Sequence, residues 1–184
     1  MGSWEDLAGY LAGLSGEDRD GFSRHAALDI PEQENAVCGT LRAYAAGDPA
    51  ATPSVLLAAT AMRAAHSRDL DLARRLGAAA LEFSETVEER QLAHVALAQA
   101  HFQNRRDEEE LSRFEEHCLA AVELGHAGTF CYERLAALYE FRGQREEAAR
   151  ISRRAAEVLR AAGDERAAAR FERRLRRLSG GDSD

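Results

Sequence analysis

A chain of 184 residues is long enough to bury a core of its own, as one domain or one short repeat array. Hydrophobic residues make up 45% of the chain and charged residues 30%, a balance that excludes general intrinsic disorder. The formal net charge of -8 argues against nucleic-acid binding, because displacing phosphate counterions requires a basic surface.

The composition predicts an all-α protein. Alanine and leucine dominate the apolar residues, and no run of alternating β-branched or aromatic residues predicts a strand. Every basic side chain is arginine, a bias of high-GC genomes that also excludes Schiff-base and other lysine chemistry. Cys38, Cys118 and Cys131 form no CxxC pair, which is typical of a reducing compartment. We therefore expect a bacterial, cytoplasmic protein, with no signal peptide, lipid anchor or membrane span.

The first 50 residues form an acidic N-terminal region with three predicted helices. Two serines, Ser3 and Ser15, each precede an aspartate by three residues, a pattern typical of helix N-caps. Ile30-Pro31 interrupts the chain, and Gly47-Asp48-Pro49 ends the region. The expected helices cover residues 4–14, 16–28 and 32–46. Whether they include one degenerate repeat is left open by the sequence.

From residue 51 to 163 the predicted helices recur in three pairs. They are expected over residues 54–66 with 70–83, 85–103 with 109–124, and 128–142 with 145–161. Small residues return at equivalent positions with offsets of 37 and then 38 residues, a period typical of helical solenoids. In chain order, the equivalent positions are Ala61, Ala73, Gly77 and Ala80, then Ala98, Phe114, Cys118 and Ala121, then Ala136, Ala148, Ser152 and Ala155. Stacked pairs bury the apolar faces that one pair alone cannot bury.

The segment from residue 129 to 159 resembles a tetratricopeptide repeat. The family's pattern of an aromatic, a leucine, a small residue and a tyrosine is met by Tyr132, Leu135, Ala136 and Tyr139. Gly143 falls at the turn, and Ala148 and Ala155 fall at small positions of the second helix. Ser152 departs from the usual aromatic, and the closing proline is absent. The resemblance implies an α-α superhelix of antiparallel helix hairpins, with His94 and His101 at aromatic positions of the looser second pair.

The last predicted helix, residues 164–178, is strongly amphipathic. Its apolar stripe is Ala168, Phe171, Leu175 and Leu178, and its opposite stripe is Arg166, Arg170, Arg173 and Arg177. We expect a capping helix that covers the last pair and keeps the end of the array hydrated. An anion, nucleic-acid or membrane-surface contact is the alternative. Residues 179–184 are expected to form a disordered tail.

The sequence predicts neither an enzyme nor a metal or cofactor site. It contains no phosphate-binding loop, nucleophile elbow or HExxH motif. His94 and His101 share a helix face, but a zinc site needs three or four ligands in a fixed geometry. The single Glu123-x-x-His126 lacks the second copy that di-iron bundles require. The many carboxylates stand among arginines at helical spacing, which is typical of solvated ion pairs.

The tetratricopeptide resemblance implies a concave groove lined by the first helix of each pair. The expected groove residues are Val55, Ala58, Met62, Leu92, Val95, Gln99, Phe102, Phe130, Glu133, Ala137, Glu140 and Phe141. The set is largely apolar and lacks the lysines and asparagines of a carboxylate clamp. We therefore expect a peptide or helix of another protein, with an apolar or amphipathic segment, as the partner. The sequence leaves open whether a second copy in a homodimer, or the chain's own first helix, fills the groove instead.

Overall fold

The computed structural model describes residues 2–48 and 50–180, and within these ranges it contains ten α-helices and no β-strand. The helices are α1 (Trp4–Ala12), α2 (Gly16–Ala26), α3 (Glu34–Gly47), α4 (Pro53–His66), α5 (Leu70–Glu82), α6 (Val87–Phe102), α7 (Glu108–Glu123), α8 (Phe130–Phe141), α9 (Arg145–Ala161) and α10 (Glu165–Ser179). The predicted all-α fold is confirmed. Pro49, and residues 181–184 of the expected tail, lie outside the described residues.

Side-chain caps fix where several helices begin. At α1 the Ser3 hydroxyl accepts the Asp6 amide hydrogen at 3.1 Å, while the Asp6 carboxylate accepts from the Ser3 amide at 3.3 Å. Thr86 and Glu89 form the same reciprocal box at α6. Such pairs satisfy amides that have no partner inside the first helical turn. The N-caps predicted at Ser3 and Ser15 are therefore confirmed, and the one at Thr86 could have been predicted from the same sequence pattern.

Glycines with positive φ lie in the turns before and after α9. Gly143 has a φ of +73° and Gly163 a φ of +84°. A left-handed conformation costs a residue with a Cβ about 1 kcal/mol or more, and glycine avoids this cost. The two glycines therefore allow the chain to stop one helix and reverse within two or three residues.

The chain divides into two compact units at the boundary between Phe114 and Glu115, which lies within α7. In the first unit α4, α5 and α6 pack on one another, α1 packs on α3, and α2 packs on α4 and α5. Gly77 of α5 is a point of close approach, since a Cβ there would lie 2.8 Å from Leu97 of α6. Because the position has no side chain, these two helices can pack more closely than larger residues would allow.

In the second unit α9 packs between α8 and α10. Ala168 and Phe171 of α10 are buried, and the Phe171 ring lies 6.1 Å from that of Tyr132 on α8 in an edge-to-face arrangement. The Arg145 side chain at the start of α9 donates to the Leu178 carbonyl at 2.8 Å, near the end of α10. These contacts fix the position of α10 on the rest of the unit.

All twelve small or equivalent positions of the predicted repeat register are buried. The four tetratricopeptide-type residues Tyr132, Leu135, Ala136 and Tyr139 are buried as well. Residues at equivalent positions are therefore buried in all three helix pairs, as repeated packing requires.

Relieving strain at the end of α2 should stabilise the protein. Ala27 is exposed and has a φ of +55°, a left-handed conformation that favours glycine. We expect Ala27→Gly to raise the free energy of unfolding by about 0.5–1 kcal/mol in urea denaturation. Ala43→Gly, at an exposed position inside α3, is the control and should lower it by a similar amount, about 0.5–1 kcal/mol. A decrease for both variants would contradict this account of Ala27.

Candidate functional site

The predicted groove residues of the first unit lie in different environments. Ala58 and Val95 are buried, at 0% and 5% exposure, so their side chains present little surface to a partner. The other five, all half-buried, are Val55, Met62, Leu92, Gln99 and Phe102. The Phe102 ring lies 5.0 Å from the Phe114 ring and has the Arg105 guanidinium 4.7 Å above its centre. Phe102 is therefore already engaged in packing within its own unit.

The predicted groove residues of the second unit all lie on α8. Phe130, Glu133, Ala137, Glu140 and Phe141 follow one another at intervals of three or four residues, or as immediate neighbours, so they share one helix face. From Phe130 to Phe141 this face is about 16 Å long at the rise of an α-helix. Phe141 is 90% exposed, and Ala137 is exposed too. We call these five residues the α8 face.

Arginines of α10 reach both glutamates of the α8 face. Arg170 pairs with Glu133 at 2.8 Å between Nη2 and Oε1. Glu140 accepts from Arg174 Nε at 2.5 Å and from Arg177 Nη2 at 3.0 Å. The sequence placed Arg170 and Arg177, but not Arg174, on a polar stripe and did not indicate what the stripe faces. Both glutamates therefore already form ion pairs with α10.

Between α8 and α10 lies a cleft of about 780 Å³, which we call the arginine cleft. Its lining consists of Glu133, Arg134, Ala137, Arg170, Phe171, Arg173, Arg174 and Arg177. Arginines are five of these eight residues, and Ala137 contributes exposed apolar surface, whereas Phe171 is buried. Arg173 is exposed and has no ion pair within the described part of the chain. The cleft is therefore cationic, with an apolar component.

The charge of the chain is unevenly distributed between its two units. Residues 115–184 carry 13 arginines and 13 acidic residues. The whole net charge of -8 consequently lies in residues 1–114. The arginine cleft is therefore a local positive feature of a unit that is neutral as a whole.

In the first unit, a half-buried network of charged side chains lies between α5, α6 and α7. Glu110 accepts at a single oxygen from Arg74 Nη2 at 2.9 Å, and the same oxygen lies 2.8 Å from His101 Nδ1. Burial by itself would raise the pKa of Glu110, but the hydrogen bonds from His101 and Arg74 outweigh it and lower the pKa. His101 is only 5% exposed. The arrangement is typical of an internal ion-pair network, and it joins three helices.

The other candidate reactive groups are the cysteine thiols and the side chains that can bind a metal ion. Cys118 and Cys131 are buried, and burial raises the pKa of the Cys118 thiol, which disfavours the nucleophilic thiolate. Within residues 2–48 and 50–180, no three histidine, cysteine, aspartate or glutamate side chains are placed to hold one metal ion. In the same ranges, no helix combines the length and apolar character needed to cross a bilayer.

Comparison with known proteins gives no significant match, either to a protein-family model, to a curated protein or to a solved structure. The tetratricopeptide resemblance therefore depends on the motif residues themselves. Function has to be argued from the surfaces that the chain presents, of which the α8 face and the arginine cleft are the most distinctive.

The Glu110 network should make stability depend on pH. Because the folded-state pKa of Glu110 lies below its ordinary 4.5, its contribution is present above that pH and is lost as the pH falls through the folded-state value. We expect Glu110→Gln to lower the free energy of unfolding by about 1–3 kcal/mol at neutral pH. Urea denaturation at several pH values should show the gap to the unmodified protein closing in acid.

Glu109→Gln is the matched control, since Glu109 is exposed and pairs with Arg113 four residues along the same helix. Its effect should stay within about 0.5 kcal/mol. A penalty for Glu110→Gln that is independent of pH would contradict the assigned role of the carboxylate.

Proposed function

We propose that this chain is a non-catalytic protein-interaction module, built from tetratricopeptide-like helix pairs, which binds a peptide or helix of another protein. The docking surface in this proposal includes the α8 face. The observation that carries it is the 90% exposure of Phe141. Among the described residues Val87, at 42%, is the other large apolar side chain with an exposed surface. An aromatic side chain left in water is a common anchor of a binding surface.

The surroundings of Phe141 support binding of an amphipathic segment. Ala137 lies one helical turn before Phe141 and lines the arginine cleft, which combines apolar surface with charged groups at its edges. Protein interfaces commonly have this composition, with an apolar centre and a polar rim. A helix or an extended strand of a partner could lie along the length of α8.

The buried repeat register supports the tetratricopeptide-like part of the proposal. The residues at equivalent positions of successive pairs are all buried, and so are Tyr132, Leu135 and Tyr139, which match the motif in the sequence. A lack of catalysis is supported by the state of the candidate groups. The Glu110 carboxylate is held by His101 and Arg74, and the Cys118 thiol is buried.

Self-association is the second candidate, because a second copy of the chain could cover Phe141 as readily as a different protein could. Two-fold dimers place the same patch of both subunits against each other, so one exposed aromatic would be buried twice.

Phe141→Glu should abolish partner capture without unfolding the protein. A charge at a central apolar anchor costs about 2 kcal/mol or more of binding free energy, roughly thirtyfold in affinity. The measurement is affinity capture from native lysate with quantitative mass spectrometry, alongside thermal melts by circular dichroism. Val87→Glu, the same change at an exposed apolar position of α6, is the control and should leave capture intact. Equal recovery with Phe141→Glu and the unmodified chain would exclude the α8 face.

Light scattering over a wide concentration range should report a monomer for both the unmodified chain and Phe141→Glu. A dimer that dissociates on Phe141→Glu substitution would replace the partner-binding proposal by self-association. A dimer that persists in the variant would place the contact elsewhere.

A further inference from the structure

We propose that the arginine cleft binds an acidic segment of the partner protein, with carboxylates on the α10 arginines and an apolar side chain over Ala137. This inference rests on the proposed function and specifies the chemistry of its ligand. It places the decisive charge on the helix for which the sequence predicted a capping role, with an anion contact as one alternative.

The cleft has the size and the lining that such a segment needs. About 780 Å³ is enough for several side chains of a peptide. Ala137 offers an exposed apolar surface, while Phe141 continues the α8 face by one further turn. An acidic residue flanked by a leucine or an aromatic would therefore contact both parts of the lining.

The charges in the cleft are only partly neutralised from within. Glu133 contacts one nitrogen of Arg170. Glu140 contacts one nitrogen of Arg174 and one of Arg177. An arginine presents five N–H donors in a planar fork that fits a carboxylate, so further donors stay available. Arg173 has no ion pair within the described ranges and leaves its whole fork for a ligand.

The existing ion pairs do not close the cleft to an acidic ligand. The side chains of Arg170 and Arg177 are 49% and 67% exposed, and pairs at such positions typically contribute about 0–1 kcal/mol. A ligand carboxylate can share these guanidinium groups, or replace Glu133 and Glu140 on them, at little cost. The pairs also hold the arginine side chains over the cleft before a ligand arrives.

The backbone that carries the arginines is fixed in advance. Ala168 and Phe171 anchor α10 by burial, Arg160 of α9 pairs with Glu172, and Arg145 binds the Leu178 carbonyl. Binding therefore does not have to order this helix, and less binding free energy is lost to entropy.

A short acidic segment suits the cleft better than a nucleic acid does. A nucleic acid carries charge along its whole length, and its approach would be opposed by the net charge of -8 on the chain. An acidic segment needs only the local positive potential, which acts over about 10 Å at ordinary ionic strength.

The test is selection on the full chain from a phage-displayed library of random peptides of about twelve residues, a length that covers α8 in a helical conformation. We expect the selected sequences to be enriched in Asp and Glu next to Leu or an aromatic. A synthetic copy of the strongest one should bind with a Kd that rises several-fold when salt increases from about 50 to about 300 mM.

Arg173→Glu should weaken this peptide at least about tenfold, the equivalent of about 1.4 kcal/mol, as measured by isothermal titration calorimetry. Arg166→Glu is the matched control: it is the same change at an exposed position of α10 outside the cleft lining, and it should change the Kd less than about twofold. Thermal melts of both variants check that α10 stays folded.

The outcomes separate the inference from the proposed function. Selected peptides without acidic enrichment, whose binding still requires Phe141, would overturn the acidic-ligand inference and leave the interaction module standing. Selection that yields no peptide dependent on Phe141 would overturn both. Self-association of the chain that is lost in Arg173→Glu would identify a second copy as the occupant and overturn the inference. Binding of a single-stranded oligonucleotide that requires Arg173, without any acidic peptide, would overturn it as well.

Discussion

Close approach of helices at small residues is the constraint on which the rest of this structure depends. Each alanine buries little apolar area. Alanine-rich helices therefore gain enough van der Waals contact only if they lie so close together that their backbone atoms also touch the neighbouring helix. Gly77 shows the limit, because even a methyl group there would lie 2.8 Å from Leu97. Long charged side chains are consequently left to the outer surfaces, where arginines pair with glutamates.

The arginines of α10 follow from that arrangement. One side of the helix packs on α9, with Ala168 and Phe171 buried, and its arginines extend toward α8. Glu133 and Glu140 of α8 meet them there. A helix that completes the packing of its unit thereby also forms one wall of the arginine cleft. A structural role and a recognition role are compatible, because burial uses one face of the helix and charge uses another.

The helices could be predicted from the sequence because the signals that define them are local. Ser3 caps α1, and Gly143 and Gly163 lie in the turns that they allow, each within a few residues of its effect. The arginine cleft could not be predicted, since helical periodicity assigns Arg170 and Arg177 to a face but does not identify the neighbouring helix. The contact between Glu110 and Arg74 could not be predicted either, because the two residues lie 36 positions apart in the sequence.

The exclusive use of arginine gives the cleft a fixed charge. A guanidinium group does not release its proton in proteins, so the positive potential along α10 is constant over the whole physiological pH range. Acetylation, which neutralises lysine amines, has no lysine side chain in this sequence to act on. Control over an acidic ligand would therefore have to act on the ligand itself, for example by protonating its carboxylates or by adding phosphate groups to it.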